Sequence, residues 1–216
     1  MTYVIYDNFL PVNEFGELAN MLGPNGNFPW FLSGRINNND TKNDDMYFAT
    51  LMFHAPDRFD VQWKNVQYLE PFLYLTSKMN IWGLHRIKAN MYFKSQSGKV
   101  EQHAMHQDAV FPHSGALFYL QDCDAPTIME CGTEIESKAY RLLFFDPTKP
   151  HASSSPTNVP YRVTININYW GHDVHEGYKR NMINPIPKII QPKSISQKTN
   201  KLGKMAQRET TIISSD

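Results

Sequence analysis

The chain has 216 residues, 41% of them hydrophobic and 13% aromatic, which is enough to bury one substantial core and too apolar for an intrinsically disordered chain. Its formal net charge is zero, which removes any general electrostatic case for a nucleic acid or a membrane surface as partner. The balance is uneven, because residues 184–216 carry six Lys/Arg against two acids, leaving a mildly acidic body with fifteen basic and nineteen acidic groups.

Cys123 and Cys131 are the two cysteines, too few for a disulfide framework, so free thiols are expected. Met1 to Asp7 lacks a basic segment followed by a long apolar run, and no apolar stretch reaches the length that spans a bilayer. A soluble, cytoplasmic chain is the expectation.

In chain order, Tyr3–Tyr6 reads as a strand, and Phe15, Leu18, Met21 and Leu22 mark one face of a helix over 12–22, stopped by Gly23-Pro24. Phe28–Leu32 and Tyr47–His54 read as strands around a polar loop at Asn37–Asp40. The spacing of Val66, Leu69, Phe72 and Leu73, widened by Trp63, Tyr68 and Leu75, predicts a long helix over 60–79. After residue 80 short strands follow, at 87–93, 115–120, 127–130, 140–145 and 162–170, with Gly and Pro punctuation between them. Helices first and strands after predict an α+β, mainly β fold, with a sandwich or jelly roll supported by N-terminal helices. From Trp170 periodicity is lost; residues 1–175 are expected to form one domain and 176–216 an extended or disordered basic tail.

His106-Gln107-Asp108 carries the chemistry. On a strand, His106 and Asp108 would point to the same side. His151 lies 42 residues beyond, after the strand-like Arg141–Phe145 run. Two imidazoles and one carboxylate, with coordination positions left open, are the donor set of non-haem Fe(II) oxygenases. Arg162, Thr164 and Asn166 share one face of an alternating strand. A guanidinium there needs a partner, either an internal acid or the carboxylate of a co-substrate. His103 is expected at the surface and His113 at most on the site rim. His172 and His175 lack a third zinc ligand.

Several segments together resemble the 2-oxoglutarate- and Fe(II)-dependent dioxygenases of the prolyl-hydroxylase-like group, including bacterial and phage-encoded members. They are Asp7–Pro11, Ala89–Tyr92, His106–Asp108, Leu117–Leu120, Arg141–Phe145, Pro150-His151 and Arg162–Asn166. The resemblance implies a double-stranded β-helix. It implies His106, Asp108 and His151 as Fe(II) ligands, and Arg162, helped by Tyr119 and Thr164, as the anchor of 2-oxoglutarate. Tyr92 and Asn90 would line that pocket. Fe(II), 2-oxoglutarate and O2 are the implied reactants, with ascorbate as reductant and succinate and CO2 as products. A peptidyl (prolyl-like) or free amino-acid side chain is the expected substrate, with a nucleobase or another small molecule as the alternative. Gln121–Thr127 lacks the glycine pair that many relatives carry after the strand, so the substrate side is expected to differ. Two other classes stay open: a non-catalytic jelly-roll binding or assembly module, and a zinc or manganese cupin-like enzyme.

Overall fold

A computed structural model of the chain describes residues 3–34, 47–55 and 61–171. In order, the first half runs β1 (Val4–Tyr6), α1 (Val12–Leu22), β2 (Phe31–Ser33), β3 (Tyr47–His54), β4 (Gln62–Trp63), α2 (Glu70–Ser77) and β5 (Ile81–Phe93). The second half is all strand: β6 (Glu101–Gln102), β7 (Ser114–Tyr119), β8 (Cys123–Met129), β9 (Glu134–Ser137), β10 (Leu142–Phe145), β11 (His151–Ala152), β12 (Ser154–Ser155) and β13 (Tyr161–Gly171). Among the described residues no helix is long and apolar enough to cross a membrane. The expected tail, His172, His175 and the 37–40 loop lie outside the described residues.

The large sheet has the order β1-β10-β7-β13-β5-β3-β2, with β4 attached to β3. A smaller sheet, β11-β8-β9, and the pair β12-β6 complete the strands. All pairings are antiparallel, and β13 is central, with β5 on one side and β7 on the other.

Period-two alternation gives the large sheet two unlike faces. Ile87, Ala89 and Met91 of β5, Val163, Ile165 and Ile167 of β13, and Phe118 and Phe144 point to one side. There they bury against Phe15, Leu18 and Leu22 of α1 and Phe72 and Leu75 of α2. Each of these side chains larger than alanine contributes about 1.5–3 kcal/mol, so this layer is the main source of stability. On the other face Leu117, Tyr119, Leu143 and Phe145 meet Met129 and Ile135 of the small sheet in a second cluster. Beside it, the β5–β13 part of that face is polar, with Arg162 opposite Tyr92, Thr164 opposite Asn90, Asn166 opposite Lys88 and Asn168 opposite Arg86.

One expected element is corrected. The segment 60–79 is not a continuous helix: Gln62-Trp63 pairs with His54-Phe53, Asn65 takes a left-handed conformation (φ 53°), Val66–Tyr68 is a single 3-10 turn, and helix begins at Glu70. Pro71 explains the late start, because its ring and missing N–H are tolerated only in a first turn. The apparent apolar stripe is therefore split: Val66 is 63% and Leu73 42% exposed, whereas Phe72 and Leu75 are buried. Trp63 packs instead on Phe53, ring centroids 4.3 Å apart. The other expected strands and α1 lie within about four residues of where the alternation and the Gly23-Pro24 stop put them, except that β5 begins at Ile81, six residues early, and β6, β9, β11 and β12 were not expected.

Candidate metal centre and its cavity

His106, Asp108 and His151 converge, each offering one ligand atom, all within 4.8 Å of one another. They arrive by a different local route from the expected strand. His106 forms an isolated bridge to His151, with each backbone N–H donating to the other's carbonyl at 2.9 Å. Asp108 lies in a bend whose N–H donates to the Pro147 carbonyl at 3.0 Å. Backbone bonds between two distant segments thus assemble the trio.

Both imidazoles are held by their inner nitrogen. His106 Nδ1 contacts the Ala104 carbonyl at 3.2 Å and His151 Nδ1 the Lys149 carbonyl at 2.9 Å. A carbonyl only accepts, so each Nδ1 carries the proton and each Nε2 keeps its lone pair for a metal. Burial, reinforced by the neighbouring His151, lowers His106 to about 4, so it is neutral near pH 7. Burial works against charge on Asp108, but Arg86, His151 and Asn168 outweigh it and hold the carboxyl well below the usual range. Arg86 Nη2 donates to Asp108 Oδ1 at 2.7 Å, while Asn166 and Asn168 Nδ2 donate to Oδ2 at 3.1 and 2.9 Å. An ionised carboxylate has about four lone-pair positions, so the three bonds fix Asp108 and leave it room to ligate.

The trio borders a cavity of about 520 Å³ on the polar face of the large sheet, closed opposite by Thr127 of β8, His151 of β11 and Ser153. Arg162 is fully buried (0% exposed) in it. Its guanidinium donates to Thr127 Oγ1 at 2.8 Å and, at 3.3 Å each, to Ser137 Oγ and the Ser154 carbonyl. All three acceptors are neutral, and among the described residues no ion pair includes Arg162. The internal salt bridge weighed from the sequence is absent there.

Arg162 lies between two aromatic rings, 5.5 Å from the Tyr119 centroid and 5.9 Å from that of Tyr92. Tyr92, Asn90 and Thr164 line the cavity. Burial, with Tyr47 stacked beside it, pushes the Tyr92 phenol up to about 12, so it stays protonated. Tyr119 is fully buried behind the wall, and its hydroxyl donates to Thr127 Oγ1 at 2.8 Å.

His103, expected at the surface, is buried, bonded to Ser153 Oγ at 2.8 Å and Ser155 Oγ at 3.0 Å and set against Tyr92. The strand ends at Gln102, so the alternation that pointed it outward does not extend to it. His113 packs against Phe111 and His85, away from the cavity lining. Arg86, Lys88, Asn168 and Tyr47 were missed from the sequence. The signal was present, since Arg86-x-Lys88-x-Asn90-x-Tyr92 alternates with Ile87, Ala89 and Met91 as clearly as the strand carrying Arg162.

No protein-family model and no curated protein matches the sequence. Solved structures do. One is an oxidoreductase of the 2OG-Fe(II) oxygenase family from Burkholderia pseudomallei, 12% identical over 80% of this chain and 86% of that one, with TM-score 0.58. Another is a prolyl hydroxylase from Trichoplax adhaerens in complex with a hypoxia inducible factor oxygen degradation domain peptide fragment, 17% identical over 82% and 86%, with TM-score 0.53. A third is the epimerase SnoN in complex with Fe3+, alpha ketoglutarate and nogalamycin RO, 12% identical over 78% of each chain, with TM-score 0.51. The chain therefore has the double-stranded β-helix fold of the 2OG-Fe(II) oxygenases.

Proposed function

We propose that the protein is a 2-oxoglutarate- and Fe(II)-dependent dioxygenase that hydroxylates a C–H bond on a peptidyl (prolyl-like) or free amino-acid side chain. The observation that carries this reading is a pair of Nε2 lone pairs and an ionised carboxylate within 4.8 Å, sharing a cavity with a buried guanidinium that has only neutral acceptors. The donor set suits Fe(II): two imidazoles and one carboxylate cover one side of a metal and leave the other open. SnoN, of the same fold, is described with Fe3+ and alpha ketoglutarate bound, which supports the same pair here.

When bound, Fe(II) with 2-oxoglutarate and O2 supplies oxidative decarboxylation to succinate and CO2 coupled to oxygen insertion into a C–H bond, and ascorbate serves as reductant. The chain's residues do the rest. His106 and His151 stay aimed because backbone carbonyls accept their Nδ1 protons, and burial keeps His106 neutral near pH 7. Asp108 stays ionised because Arg86, Asn166 and Asn168 hold it. Arg162 takes the distal carboxylate of 2-oxoglutarate in charge-assisted hydrogen bonds, turning a flexible dianion into one pose. Tyr119 acts one step removed: it fixes Thr127 Oγ1, which in turn orients Arg162. Tyr92, Asn90 and Thr164 shape the pocket beside it.

The test is succinate formation from 2-oxoglutarate, followed by NMR with Fe(II) and ascorbate, comparing wild type with Asp108→Ala and Arg162→Ala. Slow wild-type turnover lost in both variants is the expected result. Absence of both turnover and 2-oxoglutarate binding would overturn the oxygenase reading and favour a binding module.

A further inference from the structure

The proposed reaction accounts for two of the three cations that line the cavity. Arg86 is paired with Asp108, and Arg162 is assigned to the distal carboxylate of 2-oxoglutarate. Lys88 is left over. It lies in the middle of β5 and faces the cavity, and among the described residues no ion pair includes it. Its ammonium donates to the Tyr47 hydroxyl and rests 4.9 Å from that ring's centroid, contacts that orient a cation without neutralising it. Among the described residues Lys88 and Arg162 share no hydrogen-bond partner. Lys88 reaches toward β3, whereas Arg162 is tied to β8, β9 and β12. Along β5, Lys88 is four residues, about 13 Å, from the position opposite Arg162.

Two unfilled acceptors flank Lys88 on the same face. Asn90 follows it by two residues, and Asn166 stands directly opposite it on β13. Both side chains line the cavity, both are more than nine-tenths buried, and among the described residues the Oδ1 of each lacks a donor. The Asn166 amide cannot simply turn over to cure this, because its Nδ2 donates to Asp108. Buried acceptors without donors are uncommon and cost stability unless a ligand fills them. An ammonium with no counter-charge beside two unanswered carbonyl oxygens on one stretch of the cavity wall is the complement of a molecule carrying a carboxylate and an ammonium close together.

We propose that Lys88, Asn90 and Asn166 form the substrate-anchoring subsite and that the substrate is a free α-amino acid. Its carboxylate sits on Lys88, and its ammonium donates to the Asn90 and Asn166 Oδ1 atoms. This rests on the oxygenase reading and narrows it, because a residue inside a peptide chain has neither charge to offer.

The full chain loaded with Mn(II), with and without 2-oxoglutarate, tests this. The probes are the common L-amino acids beside their methyl esters and N-acetyl forms, read by paramagnetic broadening of the probe's own NMR signals. At least one free amino acid is expected to bind, with its ester and its N-acetyl form about tenfold or more weaker. Lys88→Met should abolish the preference of acid over ester, Lys88→Arg should retain it, and 2-oxoglutarate affinity should change little in either. The subsite is overturned if no free amino acid binds, if acid and ester bind alike in the wild type, or if capped forms bind better. It is equally overturned if Lys88→Met weakens 2-oxoglutarate as deeply as Arg162→Met does, which would make Lys88 a co-substrate residue. Failure of 2-oxoglutarate to bind the Mn(II)-loaded wild type strikes the oxygenase reading alone, and the acid-to-ester comparison without it still decides the role of Lys88.

Discussion

Arg162→Met separates a residue kept for a ligand from one kept for the fold. The guanidinium is fully buried and bonded to three neutral acceptors, two of them at a long 3.3 Å. Hydrogen bonds from a charged group contribute about 1.5–3 kcal/mol each at good geometry, so these three together offer roughly 4 kcal/mol. Burying an uncompensated charge costs several kcal/mol. The two offset, and methionine, of similar length, should leave folding stability within about 2 kcal/mol of wild type, or roughly 4–8 °C in Tm for a chain of this size. Binding should respond differently. Truncating one partner of a buried, hydrogen-bonded charge pair costs about 2–5 kcal/mol, so the 2-oxoglutarate Kd should rise from about thirtyfold to a few thousandfold. Calorimetric titration of the Mn(II)-loaded variant, beside its thermal melt, reads both quantities. A Kd within about threefold of wild type, joined to a melt lowered by more than about 15 °C, would refute the argument and make Arg162 a structural residue.

Three further outcomes are expected. Asn168→Ala removes one of the three bonds that fix Asp108 and should weaken Mn(II) or Co(II) binding about 10–100-fold, checked by metal titration; unchanged affinity would show that Arg86 and Asn166 suffice. His106 is held at about 4, below its unfolded value of about 6.5, so its contribution to stability is complete above about pH 6.5 and is lost as pH falls toward 4. Urea unfolding of the metal-free protein should show that slope, and His106→Gln should flatten it; equal slopes in both proteins would contradict the assignment. Phe72→Ala should cost about 3–5 kcal/mol whereas Val66→Ser stays within about 0.5 kcal/mol, measured by chemical denaturation; comparable losses would restore the continuous helix.

The parts of the fold that were legible in the sequence are those where one strong periodicity acts alone. Strand β13 alternates polar and apolar from Arg162 to Tyr169, so Arg162, Thr164 and Asn166 could be put on one face before any partner strand was known. The segment 60–79 misled because apolar residues at three- and four-residue spacing also arise when a short strand, a turn and a helix follow one another. Pro71 and Asn65 were the local dissenting signals. His106 and Asp108 were paired by strand alternation, yet they meet through a bridge to His151 and a bend onto Pro147, contacts that depend on residues some forty positions away. No local pattern encodes such contacts. Arg86 and Lys88 went unread for another reason: basic residues on a strand look like a solvated face until a second sheet is known to cover them.

The two-faced construction of β5 and β13 gives folding its own proofreading. Slipping β13 by one residue would drive Arg162, Thr164, Asn166 and Asn168 into the apolar layer under the helices and turn Val163, Ile165 and Ile167 into the cavity. Such a chain would forfeit its main core and the amides that hold Asp108 in a single error. A bulge between Asn168 and Tyr169 guards against it, since an irregular pairing matches its partner at only one offset. A stable but inactive impostor of this molecule is therefore hard to build, and folded protein should be competent protein.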